Sequence, residues 1–126
     1  MIKTLSADDI LHIHATLAKE FGGNAALRDK GILEKALEGV ASGREKGLFE
    51  KAAGLMAGLA VQAPFVESNV RTAFFAADVF LRMNGFYLRC DNVVTFRYFS
   101  ALLEEGNFTG DTLLPWIESN VEKVNP

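Results

Sequence analysis

At 126 residues the chain fits one domain, residues 1–126, and a 49% hydrophobic composition with mean hydropathy +0.13 is enough to bury a real core. Charged residues make up 23% with a formal net charge of −3, and no Lys/Arg cluster appears; this argues against nucleic acid and against an anionic membrane surface as partners and leaves any phosphate site local. Cys90 is the only cysteine, which excludes an internal disulfide or a thiolate metal cluster and fits a reducing cytoplasm.

The chain reaches Asp8 and Asp9 before any apolar run of signal-peptide length has formed. Ser6 is a good N-cap, and Ile10, Ile13, Leu17 and Phe21 then recur at helical spacing until Gly22-Gly23 stops the first helix. Asn24 to Arg28 reads as a loop, and Asp29 caps a short helix with the stripe Ile32, Leu33, Ala36, Leu37 and Val40, broken over Ser42 to Gly47. From Leu48 the positions Leu48, Ala52, Leu55, Met56, Leu59 and Ala60 share one face, while Gly54, Ala57 and Gly58 are small enough for close helix packing; this helix should be central. The weakly polar stretch Ala52 to Val66 is interrupted by glycines and Pro64 and falls short of a membrane span, so a soluble, cytoplasmic protein is expected.

The residue before a proline disfavours helix, so Val61 to Glu67 should leave as a loop, with a new helix starting near Ser68 or Asn69. That helix carries Val70, Ala73, Phe74, Ala77, Phe80 and Leu81 inward and stops at Asn84-Gly85. Phe86 to Cys90 is short and apolar, compatible with an extended segment but too short to imply a sheet. Asn92 is expected to cap a helix reaching Glu105, whose Val93, Phe96, Tyr98, Phe99, Leu102 and Leu103 cover so much of its circumference that it is either deeply buried or covered by a partner. Asp111 is expected to cap a last helix from Thr112 to about Val124, with Pro115 in or near its first turn. Six helices with short connectors and no alternating strand runs predict an all-α domain, with an exposed loop around Glu67 joining the two most buried helices. Glu-Ser-Asn-Val occurs at both 67–70 and 118–121, which reads as coincidence.

The loop before the fourth helix holds the densest set of polar groups. In its simplest reading Ser68 or Asn69 caps the helix, worth about 1 kcal/mol, and Glu67 pairs with Arg71 four residues on, worth about 0.3–0.5 kcal/mol. The same residues also suit a phosphate: free N–H groups at a helix start favour an anion, Asn69 adds a donor, Arg71 a planar fork, and Glu67 a hard ligand for a divalent cation. Elsewhere, His12 and His14 are two apart on a helix and point to different faces, which speaks against a shared metal site. Cys90 sits among apolar neighbours as a buried thiol, and the aromatics from Phe74 to Trp116 are mostly core by spacing, with an excess around Phe96 to Phe99 available to a partner.

The run Ala63-Pro64-Phe65-Val66-Glu67-Ser68-Asn69-Val70-Arg71-Thr72-Ala73 resembles the signature of the Fic/Doc (death-on-curing) family, whose general form is His-x-Phe-x-Asp/Glu-Gly/Ala-Asn-Lys/Gly-Arg. It matches at Pro64, Phe65, Glu67, Asn69, Arg71, Thr72 and Ala73, and the resemblance continues through Phe74 to Gly85 and, upstream, through Leu5-Ser6, Gly22-Gly23 and Leu27 to Glu34. Such proteins transfer part of a nucleotide to a protein hydroxyl; the death-on-curing toxin phosphorylates translation elongation factor Tu and is paired with an antitoxin whose C-terminal segment folds as a helix in a groove. The resemblance implies that Glu67 binds Mg²⁺, that Ser68, Asn69 and Arg71 at the helix start hold the phosphates of ATP or another nucleoside triphosphate, and that Phe65, after Pro64, anchors the loop in the core.

Two positions depart from the pattern. The general-base histidine is replaced by Ala63, and the lysine of the toxin subfamily by Val70. Loss of a general base typically removes about 10²–10⁴ in rate, and loss of a charge-stabilising group a further ~10²–10³. The leading expectation is therefore a death-on-curing-like toxin component with impaired catalysis. The alternatives are a non-catalytic protein-interaction module that keeps the fold, or a transferase that uses Glu67 or Asp91 as base.

Overall fold

The computed structural model describes residues 2–42 and 47–124, apart from the side chains of Gly39, Ala41 and Ser42. Its helices are α1 (Ala7–Phe21), α2 (Lys30–Ser42), α3 (Leu48–Gln62), α4 (Asn69–Met83), α5 (Asn92–Glu104) and α6 (Gly110–Asn120). Two three-residue strands, β1 (Phe86–Leu88) and β2 (Val121–Lys123), form the remaining regular structure among the described residues. The protein is all-α, as its periodicities predict. Among the described residues no helix is long and apolar enough to cross a membrane.

The centre is α3 packed on α4, with α2 and α6 against α3 and α1 against α4. Leu55, Met56 and Leu59 of α3 and Ala73, Ala77, Phe80 and Leu81 of α4 are at most 1% exposed. Each large side chain so buried contributes about 1.5–3 kcal/mol relative to exposure, which makes this pair the platform for everything else. Close approach has a visible cause at Gly58, where a Cβ would stand 3.4 Å from that of Ala36; Gly54, by contrast, has open space beside it.

Several local signals act as expected. Ser6 caps α1 in a reciprocal box with Asp9, Asp29 accepts from the Gly31 and Ile32 N–H groups, and α4 stops at Asn84 with Gly85 at φ 91°. The expected break after α2 falls largely on residues 43–46, outside the described residues, while α3 starts behind Gly47.

Other boundaries move. Asp91, not Asn92, caps α5 by accepting from the Val94 N–H, and Thr109, not Asp111, caps α6 by accepting from the Thr112 N–H. The side chain one residue further upstream in α5, and two residues further upstream in α6, reaches the third N–H of the helix, the span a cap requires. Pro115 consequently stands well inside α6 at an exposed position. The last helix ends at Asn120 because Val121–Lys123 pairs antiparallel with Phe86–Leu88, in the register Phe86 with Lys123, Tyr87 with Glu122 and Leu88 with Val121. The buried carboxylate of Asp78 on α4 ties this ribbon down by accepting from the Leu88 N–H at 2.9 Å while pairing with Arg82 at 2.8 Å. In α5 only Thr95, Phe99 and Leu102 are buried; Val93 and Val94 are 68% and 65% exposed, so the helix is not deeply enclosed. Cys90 is half-buried rather than buried.

Candidate functional site

α3 ends where Ala63 enters the left-handed region at φ 49°, ψ 66°, its N–H still bonded to the Leu59 carbonyl. The preceding carbonyls would lack helical donors, and Arg28 supplies them: Nε donates to the Ala63 oxygen and Nη2 to that of Gln62, both at 2.9 Å. The segment Asn24–Asp29 runs beside the loop. The Arg28 and Asp29 N–H groups donate to Pro64 O, the Val66 N–H donates to Ala26 O, and Leu27 bridges to Phe65.

Phe65, 2% exposed, reaches from the loop into the core. Asn69 holds its backbone, with Oδ1 accepting from the Phe65 N–H and Nδ2 donating to the Phe65 carbonyl, both at 3.0 Å. His14 holds its ring: the imidazole stacks at 3.7 Å between centroids and 5° between planes, and its Nε2 lies 2.9 Å from the Glu67 carbonyl oxygen. His14 is 1% exposed whereas His12 faces outward, so the two imidazoles do point to different faces.

The capping expected of Ser68 or Asn69 does not occur. Ser68 occupies the cap position with φ 66° and ψ 29°, and its hydroxyl accepts no N–H of α4, while the Asn69 amide is turned onto Phe65. An ordinary side-chain cap needs extended backbone, and a left-handed residue directs its side chain elsewhere. The amide groups of the first turn of α4 therefore keep the partial positive charge of an uncapped helix start.

The expected Glu67–Arg71 pair is absent as well. Glu67 Oε1 accepts from the Asn24 N–H at 2.5 Å, and the Arg71 guanidinium lies 4.6 Å from the Phe21 ring centroid. The spacing rule fails because Glu67 precedes the helix and the left-handed turn at Ser68 separates it from the face that carries Arg71. Gly22 and Gly23, at φ 81° and 114°, make the turn that brings Asn24 to Glu67; a Cβ on Gly23 would stand 3.5 Å from Oε1. Phe21 is 57% exposed instead of joining the α1 stripe, and so offers its face to Arg71.

One loop and one helix turn thus bring together Ala63, Pro64, Phe65, Glu67, Ser68, Asn69 and Arg71, whereas Val70 is half-buried against the core. His14, Arg28, Asn24 and Gly23 belong to the same assembly, a role that their residue types did not indicate. A signal for His14 did exist: it shares a face with Ile10, Leu17 and Ala18, the buried set of α1, while Ile13 lies at the margin.

The donor chemistry fits a magnesium nucleotide. Among the described residues no three His, Cys, Asp or Glu side chains converge, so an ion at Glu67 would take most of its oxygens from phosphate and water, which is how Mg²⁺ usually binds. Glu67 Oε2 has no partner among the described residues, and an amide nitrogen carries two hydrogens, so Asn69 keeps one N–H after binding Phe65. Beside Arg71 runs an apolar trough. A cavity of about 210 Å³ lined by Phe21, Arg71, Phe75, Asn92, Val93 and Phe96 shares Phe21 and Phe75 with one of about 520 Å³ between α1 and α4.

No curated protein matches this chain. The sequence does match the Fic/DOC family over residues 4–81, a span that runs from just before α1 into the last turn of α4 and includes the whole loop assembly. Residues 4–81 are more than half of the chain, and on that match the chain belongs to the Fic/DOC family.

Proposed function

We propose that this protein is a death-on-curing-like component of a toxin–antitoxin pair that binds a nucleoside triphosphate with Mg²⁺ at the start of α4 and lacks the base needed for transfer. The observation that carries this reading is the uncapped, left-handed entry into α4 at Ser68, with the Glu67 carboxylate and the Asn69 amide on either side. A cap of α4 that would exclude an anion is missing, and the loop is held in shape by its own clamps. In such a site Glu67 would hold the ion, and Ser68, Asn69 and Arg71 the phosphates; the ion would neutralise phosphate charge. Arg71 would exchange its contact with Phe21 for phosphate oxygens, a stronger charge-assisted contact. With a methyl group at Ala63 no side chain at that position can accept a proton. The target by resemblance is translation elongation factor Tu, and the trough beside Arg71 suits the C-terminal helix of an antitoxin.

A second reading is favoured by the engagement of Glu67 with Asn24 and of Arg71 with Phe21: a non-catalytic interaction module in which these contacts are permanent and no nucleotide binds. Calorimetric titration with MgATP separates the two. Binding that weakens about tenfold or more in Arg71→Ala supports the nucleotide site, consistent with one charge-assisted contact. No heat at millimolar nucleotide, or indifference to Arg71→Ala, supports the module.

A further inference from the structure

His14 is a buried polar side chain that takes no part in the phosphate chemistry proposed above. It lies on the third turn of α1 at 1% exposure, far in sequence from the loop it touches. A backbone carbonyl can only accept, so the contact from Nε2 to the Glu67 oxygen at 2.9 Å requires the hydrogen on Nε2. No acceptor stands at Nδ1, so a second hydrogen there would leave an unpaired charge in a ring that is 1% exposed; Nδ1 is therefore a bare acceptor, buried without a partner. A hydrophobic ring would fill the same space without that orphaned nitrogen, so packing alone does not account for a histidine. What the imidazole adds is a donor fixed at a known angle to a stacked ring.

We infer that His14 is the positioning residue of the nucleotide site, a neutral imidazole with its hydrogen on Nε2 that sets the Glu67 carbonyl and the Phe65 ring together. Asn69 clamps the backbone of Phe65 and His14 clamps its ring and the carbonyl two residues on, so the turn through exposed Val66 is held at both ends. That carbonyl belongs to the peptide that leads into the left-handed Ser68, and the Glu67 carboxylate hangs from the same residue, so holding it restrains the backbone on which both depend. α1 thereby acts on the site without touching a ligand. As regards nucleotide affinity, the inference rests on the reading given under Proposed function.

Two variants separate the donor from the ring: His14→Phe keeps the stack and loses the hydrogen, and His14→Gln keeps an N–H donor and loses the stack. In the unmodified protein, ¹⁵N spectra of the imidazole should show Nε2 protonated and Nδ1 bare. In His14→Phe, amide exchange at Phe65 and Val66 should rise about tenfold and MgATP affinity fall about tenfold, as for one lost part-buried hydrogen bond. His14→Gln should recover part of both losses, which a purely space-filling role would not produce. A hydrogen on Nδ1 in the unmodified protein overturns the inference, and that measurement needs no variant to fold. So does a His14→Phe protein whose exchange and affinity equal those of the parent. If the parent binds no MgATP and exchange still rises in His14→Phe, the nucleotide reading fails while the positioning role of His14 stands.

Discussion

The side chain of Asn69 satisfies both backbone groups of Phe65, accepting from its N–H and donating to its carbonyl at 3.0 Å each. A side-chain amide carries an acceptor oxygen and a donor nitrogen side by side, so one asparagine can meet both groups, which makes the asparagine of this loop structural before it is functional.

Asn69→Ala leaves a part-buried N–H and a part-buried carbonyl of Phe65 without their partners and should lower stability by about 2–3 kcal/mol. Asn69→Asp keeps the acceptor and loses the donor, so it should fall between the parent and the alanine variant. Urea unfolding with unchanged m-value checks the order; equal stability of Asn69→Ala and the parent would mean that the loop is held without this clamp.

Ala63 holds a left-handed conformation that disfavours any Cβ, so Ala63→Gly should stabilise the protein by about 0.5–1 kcal/mol, the relief being partly offset by the greater freedom of glycine when unfolded. Thermal unfolding would register this as a rise of a few degrees. A fall instead would mean that the Ala63 methyl group packs favourably enough to outweigh its backbone strain.

The parent should neither phosphorylate nor adenylylate a target, and Ala63→His alone should restore less activity than Ala63→His with Val70→Lys. A base and a phosphate clamp act on one transition state, so their effects should not add. Val70 is half-buried, so a lysine there must carry its charge outward along an apolar stem. Radiolabelled nucleotide transfer onto a cell extract, with growth on induction, reads the result. Activity of the parent equal to the double variant would require another base.

Stability should also depend on pH at the surface of α1. The Ser6 backbone N–H, and secondarily its hydroxyl, hold the Asp9 carboxyl below its ordinary 3.8. A carboxyl whose folded pKa is depressed contributes stability above the unfolded value, and loses it as pH falls through the folded one. Asp9→Asn should therefore flatten the stability curve below about pH 4, by no more than about 0.5 kcal/mol because the group is exposed and screened. Acid titrations of parent and variant that run parallel would refute the linkage. Tyr87 behaves in the opposite sense: its O–H donates to Glu122 across the β1–β2 pair, which raises its pKa, so that contribution is present below the phenol's usual range and lost as pH rises through the folded value.

What the sequence determined by itself was whatever depends on neighbours along the chain. Ser6 with Asp9, Asp29 with Gly31, Pro64 after α3 and Asn84-Gly85 after α4 each act within one helical turn, and the apolar stripes of α3 and α4 place the core correctly. The repeated string Glu-Ser-Asn-Val shows the limit: at 67–70 it opens α4, and at 118–121 it closes α6 and enters β2. The difference is that Val121 finds Leu88 to pair with and Asn69 finds the backbone of Phe65. Tertiary structure likewise decided that Glu67 meets Asn24 and not Arg71, that Arg71 turns to Phe21, and that His14 faces the loop. The physical reason is that periodicity reports which face of a helix leaves water, whereas a polar group's partner depends on which distant backbone the packed helices deliver within hydrogen-bonding distance.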